Sequence, residues 1–149
     1  MKKKLLYALT SLIVAGAGLY PALGDARSLD QQFDCSSDAH KFVATLARKR
    51  DIKAESLHVE ANSVNAFQPA PGRKLTAFGF PVYVVIGYEP DNALFKTGSG
   101  TPFAGSIYGV VVTGSAEAVE ARVRQAGSGA AVREVIPMLL TAIVCTGQP

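Results

Sequence analysis

Cys35 and Cys145 are the chain's only cysteines, and they stand near the two ends of everything that can fold into a domain. Joined, they would hold the first and last elements of that domain side by side, which few architectures satisfy. Three uses compete for such a pair: a disulfide, part of a metal site, or a catalytic thiol. Neither cysteine belongs to a C-x-x-C motif or adjoins a histidine, and no third cysteine competes. In an exported chain this pattern favours one disulfide. Closing so long a loop stabilises a fold by ~4–5 kcal/mol in the chain-entropy view.

The N-terminus points to export. Met1-Lys2-Lys3-Lys4 is a basic start, and Leu5–Leu19 is apolar or small apart from Thr10 and Ser11. Residues 1–24 therefore read as a cleaved signal peptide, with Ala22-Leu23-Gly24 favouring a cut before Asp25 and Gly24-Asp25-Ala26 one before Arg27. An apolar run of ~15 residues is short of the ~20 that a spanning helix needs, so no stable membrane anchor is expected after processing. Cys35 follows Gln32-Phe33-Asp34, unlike a lipoprotein signal. The full chain carries 15 Lys+Arg against 12 Asp+Glu, but Lys2, Lys3 and Lys4 leave with the signal, and 12 cations then meet 12 anions from Asp25 onward. The basic pI thus supports neither a nucleic-acid nor an anionic-lipid partner. The expected location is the bacterial periplasm or beyond, with residues 25–149 as a single globular domain. At about 125 residues it is large enough for its own core.

The apolar, β-branched and aromatic residues concentrate in Leu75–Thr113. Phe78–Tyr88 and Ile107–Thr113 are strand-length runs bounded by Gly and Pro signals, which predicts a sheet at the centre of the domain. Strict alternation would put Phe78, Phe80, Val82, Val84, Ile86 and Tyr88 on one face, unless a bulge intervenes. Glu89-Pro90-Asp91-Asn92 is turn chemistry, Ala93–Lys96 would return antiparallel, and Thr97–Pro102 reads as a flexible polar tip. The expectation is an antiparallel meander around residues 75–113. Ahead of it, Ser36-Ser37-Asp38 offers caps for a helix over about 37–50 with Ala39, Phe42, Val43 and Leu46 on one stripe. Leu57–Ala61 alternates like a half-exposed strand. Behind it, Ser115 can cap a helix over about 116–126 that Gly127 stops. Residues 131–145 fit either a helical period broken at Pro137 or two strands around that proline, and β-branching favours strands. The fold class is α+β: one domain, an antiparallel sheet, two flanking helices and one disulfide.

No stretch of the sequence completes a catalytic motif. His40 and His58 have no second ligand at metal spacing, so neither metal nor cofactor is expected. Ser99, Ser106, Ser115 and Ser128 all neighbour glycine, but none completes G-x-S-x-G. Gly98-Ser99-Gly100 lacks the remainder of a phosphate loop, and Glu89 and Asp91 sit in an evident turn. An enzyme is not the expectation.

Eight aromatics, Phe67, Phe78, Phe80, Tyr83, Tyr88, Phe95, Phe103 and Tyr108, crowd the central third of the chain. Most must be core, yet rigid aromatics beside an adaptable polar loop are also the ingredients of a binding surface. Tyr88, Asp91, Phe95, Lys96, Ser99, Phe103 and Tyr108 are the candidate partner-binding residues. The plan as a whole resembles the general run of small bacterial periplasmic inhibitors, immunity proteins and accessory proteins. That resemblance implies a non-enzymatic module that binds another protein of the cell envelope, such as an enzyme or toxin. A second reading is a small-molecule or glycan site with Tyr83, Tyr88 and Tyr108 lining a concave sheet face. A third is an enzyme whose site assembles His40 or His58 with a distant serine or acid.

Overall fold

The computed structural model describes residues 26–147, which form an α+β domain. The segment read as a signal peptide lies outside the described residues. In chain order come β1 (Ala26–Ser28), a 3-10 turn (Asp30–Asp34), α1 (Ala39–Arg48), β2 (His58–Val59), β3 (Asn65–Phe67), β4 (Lys74–Ala77) and β5 (Phe80–Tyr88). There follow β6 (Ile107–Thr113), α2 (Ala116–Gln125), β7 (Ala131–Ile136) and β8 (Leu140–Thr146). Among the described residues, no helix is long and apolar enough to cross a membrane.

The strands form one mostly antiparallel sheet in the order β1-β4-β5-β6-β8-β7, with only β1 and β4 parallel. β5 is long enough to share one edge between two neighbours. Its start pairs with β4 at Thr76 and Ala77, and its end pairs with β3 at Asn65–Phe67, which β2 extends. The other edge of β5 runs along β6, and β6 runs along β8 for its whole length. Gly109 permits the last pairing, because a Cβ there would collide with the Ile143 carbonyl.

Both helices lie on one face. Asp38 caps α1 by accepting from Lys41 N at 2.8 Å, and the donors of the next residues go to other elements, Ala39 N to Ser106 Oγ and His40 N to Glu89 Oε1. Ala39, Phe42, Val43 and Leu46 are buried against the sheet, as their spacing predicts. Gly87 lets α1 come this close, since a Cβ there would stand 2.8 Å from Val43 Cγ2. Ser115 caps α2, Val119 and Val123 face inward, and Gly127 at φ +69 ends it. Tyr108, Val110 and Val112 of β6, Val85 of β5 and Ile143 of β8 supply the sheet's side of this core, with Phe33, Phe67 and Phe78 around them.

Cys35 and Cys145 are bonded, with Cα atoms 5.2 Å apart across a separation of 110 residues. The bridge joins the residue after the 3-10 turn to the end of β8, beside the Phe33–Phe42–Tyr108 cluster, in which Phe42 and Tyr108 rings are 4.7 Å apart. A second long-range tie is Arg27 Nη1, 3.1 Å from the buried Asp51 Oδ2. It fixes β1 to the segment that follows α1.

The antiparallel meander expected around residues 75–113 is formed by β4, β5 and β6. The helix expected over about 37–50 is present as Ala39–Arg48, with Asp38 as its cap. Two expectations need correcting. The Ala93–Lys96 segment is not a strand of the meander, because β6 itself pairs with the edge of β5 where that segment would return and β3 holds the other edge. Instead the buried Asn65 amide grips Lys96, accepting from its N at 3.0 Å and donating to its O at 2.8 Å. The even positions of β5 do not share a face throughout. Tyr83 is an extra residue between the pairs Val82–Val112 and Val84–Val111, so Val82 packs on the helix side and Val84 on the other. The ambiguity at residues 131–145 resolves into the β7–β8 hairpin.

The disulfide's reach sets the first prediction. Cys35→Ser with Cys145→Ser should lower stability by about 4 kcal/mol and the melting temperature by roughly 15 °C. Far-UV circular dichroism at 20 °C or below should stay that of the folded sheet, because the core does not depend on the bridge.

Candidate functional site

The face of the sheet opposite the helices is built from Ala66, Val84, Ile86, Val111, Leu140, Ala142 and Val144. These residues are apolar although, among the described residues, no helix covers them. The sequence cause is that β5, β6 and β8 are apolar on both faces, as in strands meant to be covered twice. Six large apolar side chains are strongly exposed: Leu57 (60%), Tyr83 (58%) and Val135 (51%), which border this strip, and Ile136 (44%), Met138 (80%) and Leu139 (60%) at the tip of the β7–β8 hairpin. Tyr83 owes its position to the bulge, and Leu57 to the backbone bond from its N to Ala66 O at 2.7 Å.

Between these walls runs an apolar groove of about 270 Å³, floored by Val84, Ile86 and Val111 and flanked by Leu57, Tyr83 and Leu140. The ionisable groups at its rim are His58 and Glu60, 3.4 Å from each other. One end of the groove meets the tip of the β7–β8 hairpin. That tip is a tight turn in which Leu139 N donates to Ile136 O at 3.0 Å, with Pro137 second and Met138 third at φ +64. Gly114 N donates to Leu139 O at 2.9 Å and Thr141 Oγ1 to Gly114 O at 2.8 Å, so the base of the tip is fastened to the end of β6. The result is a stiff apolar knob beside an apolar groove.

The residues singled out from sequence for partner binding are not brought together here. Tyr88, Phe95 and Tyr108 are buried in the main core, and the Tyr108 hydroxyl donates to Gln32 O at 2.9 Å. Phe103 is half-buried against the same core. Asp91, Lys96 and Ser99 are exposed on the loop after β5. That loop is held by Gly98 N on Ser63 Oγ, Gly100 N on Ala61 O and Phe103 N on Asn62 O, at 2.8–2.9 Å. The proposed trio of tyrosines separates, and only Tyr83 reaches the uncovered face. His40 lies with Asn92 and Glu89 at the start of α1, whereas His58 pairs with Glu60, so the two histidines share no site.

Sequence reasoning missed Leu57, Val135, Ile136, Met138 and Leu139. The signal was present as an apolar run on both sides of Pro137, but its face was undefined until the hairpin register was known. A second depression, of about 340 Å³, lies between Asp30, Phe78 and Arg122. Asp30 Oδ1 accepts there from Phe78 N at 2.6 Å. Among the described residues, no group of three or more His, Cys, Asp or Glu is placed to hold a metal ion. No protein-family model, curated protein sequence or solved structure matches the chain.

Tyr108 gives a check on this placement. Burial, with the carboxylates of Asp34 and Asp38 adding to it against an opposing backbone hydrogen bond at Ser37, raises its phenol above the ordinary value of 10. The folded state holds the proton more tightly than the unfolded chain, so stability is intact below pH ~10 and falls as pH rises beyond it. Urea titrations between pH 8 and 11 should show that decline, and Tyr108→Phe should flatten it. An equal decline in both proteins would place Tyr108 outside the core.

Proposed function

We propose that this chain is a non-enzymatic protein-binding module of the bacterial periplasm, of the inhibitor or immunity type. It would act on an envelope enzyme or toxin and contact its partner through the uncovered face of the sheet. The observation that carries the reading is an apolar groove bordered by the exposed Leu57, Tyr83 and Val135, with ionisable groups only at its rim, next to the exposed apolar tip Ile136–Leu139. Contiguous exposed apolar surface on the order of several hundred Å² marks interaction sites in soluble proteins, and charge depletion at the centre is the compositional sign of an interface core. The N-terminal export pattern and the single disulfide support an oxidising compartment.

The alternative of a glycan or small-molecule site draws support from the groove volume. It is weakened by the lining, since a glycan needs converging polar groups and the groove offers mainly Tyr83, His58 and Glu60. An enzymatic reading has less to stand on, because the His40–Glu89–Asn92 cluster has no serine or cysteine within its hydrogen bonds.

The test is site-specific photo-crosslinking in living cells, with the reactive side chain placed at Leu57 or Val135 on the uncovered face, or at Gln125 on α2. A discrete heterologous adduct is expected from the first two positions and not from the third. Adducts that are absent, or equal at all three positions, would contradict the reading.

A further inference from the structure

We propose that the uncovered face is occupied in the resting protein by a second copy of the chain, giving a two-fold dimer in which each Met138–Leu139 knob enters the other copy's groove. This rests on the reading that the face binds protein, and names the first protein it binds. Three observations point to a copy of the chain itself.

The first is shape. The knob at Ile136–Leu139 is flanked in the chain by Val135 and Leu140, which both line the groove of about 270 Å³, so knob and groove adjoin. A feature placed beside its own complement becomes self-complementary under a two-fold axis between the two. The second is area. The exposed parts of Leu57, Tyr83, Val135, Ile136, Met138 and Leu139 add to on the order of 700 Å², near the ~800 Å² per partner of a standard interface.

The third is the knob's backbone. Met138 stands at φ +64 in the third position of a tight turn, where glycine or asparagine fits without strain. It is also 80% exposed, so it gives the isolated chain almost no packing in return. A large apolar side chain held in that conformation has a use outside its own fold.

The edge of the sheet offers a rival route to a dimer, and its charges oppose it. A two-fold antiparallel pairing along β7 keeps each residue on its own face, so the central registers set Arg133 opposite Arg133 or Glu134 opposite Glu134. Like charges directly opposed on paired strands are destabilising, and the irregularity between Glu134 and Ile136 further disturbs the edge. Face-to-face docking avoids both obstacles.

The experiment is sedimentation velocity on protein expressed as the full chain and purified from the periplasm, at concentrations up to about 100 µM, a range that detects association of even modest affinity. A dimer is expected. Met138→Gly, which suits the turn and should leave the fold at least as stable, should weaken dimerisation at least tenfold. Leu57→Asp, on the groove side, should do the same, and Gln125→Glu on α2 should change nothing. Far-UV circular dichroism confirms that each variant is folded, and Met138→Gly decides the matter if Leu57→Asp is not. A monomer at 100 µM, an open-ended oligomer, or a dimer indifferent to Met138→Gly would overturn the inference. A monomer that still gives a heterologous adduct at Val135 would refute the dimer and leave the protein-binding reading standing. A dimer with no heterologous adduct would do the reverse.

Discussion

Two ten-residue helices have one sheet to cover, and they can cover only one of its faces. Each is ~15 Å long and ~10 Å wide, whereas six strands side by side span ~24 Å. Placed together on one face, α1 and α2 roughly match that width, and nothing is left for the other. The remainder of the fold follows from this shortage. The 3-10 turn brings Phe33 into the covered core, and the disulfide then holds that turn against the end of β8. The apolar face on the far side is left to the short β2–β3 ladder and the β7–β8 hairpin, which wall it without closing it.

This division explains why the aromatics misdirect a functional search. Phe33, Phe42, Phe78, Tyr88, Phe95 and Tyr108 are large because the covered core must be filled by few elements. Their hydroxyls and their nearness to a Gly/Ser loop suggest a binding surface only when the fold is unknown. The residues left for a partner are mostly aliphatic and lie far apart in sequence, from Leu57 to Leu139. A single tyrosine reaches them, and it does so through a bulge.

Much of the fold could be read directly from the residues. Both helices carry caps and apolar stripes at helical spacing, the two central strands are dense in Val, Ile and Tyr, and the cysteine pair implied its own bond. Each of those signals is local or is set by compartment. The failures concern pairing. Whether Ala93–Lys96 returns as a strand depends on whether an edge of β5 is free, and β6 and β3 take both. Which face Val84 shows depends on one inserted residue, Tyr83, that no periodicity marks. The run around Pro137 is apolar in either reading, and only its hairpin register shows that Met138 and Leu139 project into solvent.

The sheet is packed beneath helices on one side, whereas its other side is apolar and, among the described residues, no helix covers it. Carbene footprinting of dilute, disulfide-intact protein tests this arrangement directly, because the label inserts into whatever side chain water can reach. Heavy labelling is expected at Leu57, Tyr83, Met138 and Leu139, with Tyr88, Phe95 and Tyr108 unlabelled until the protein is denatured. Protection of Leu57 and Met138 alongside labelling of Phe95 or Tyr108 in the native protein would contradict this arrangement.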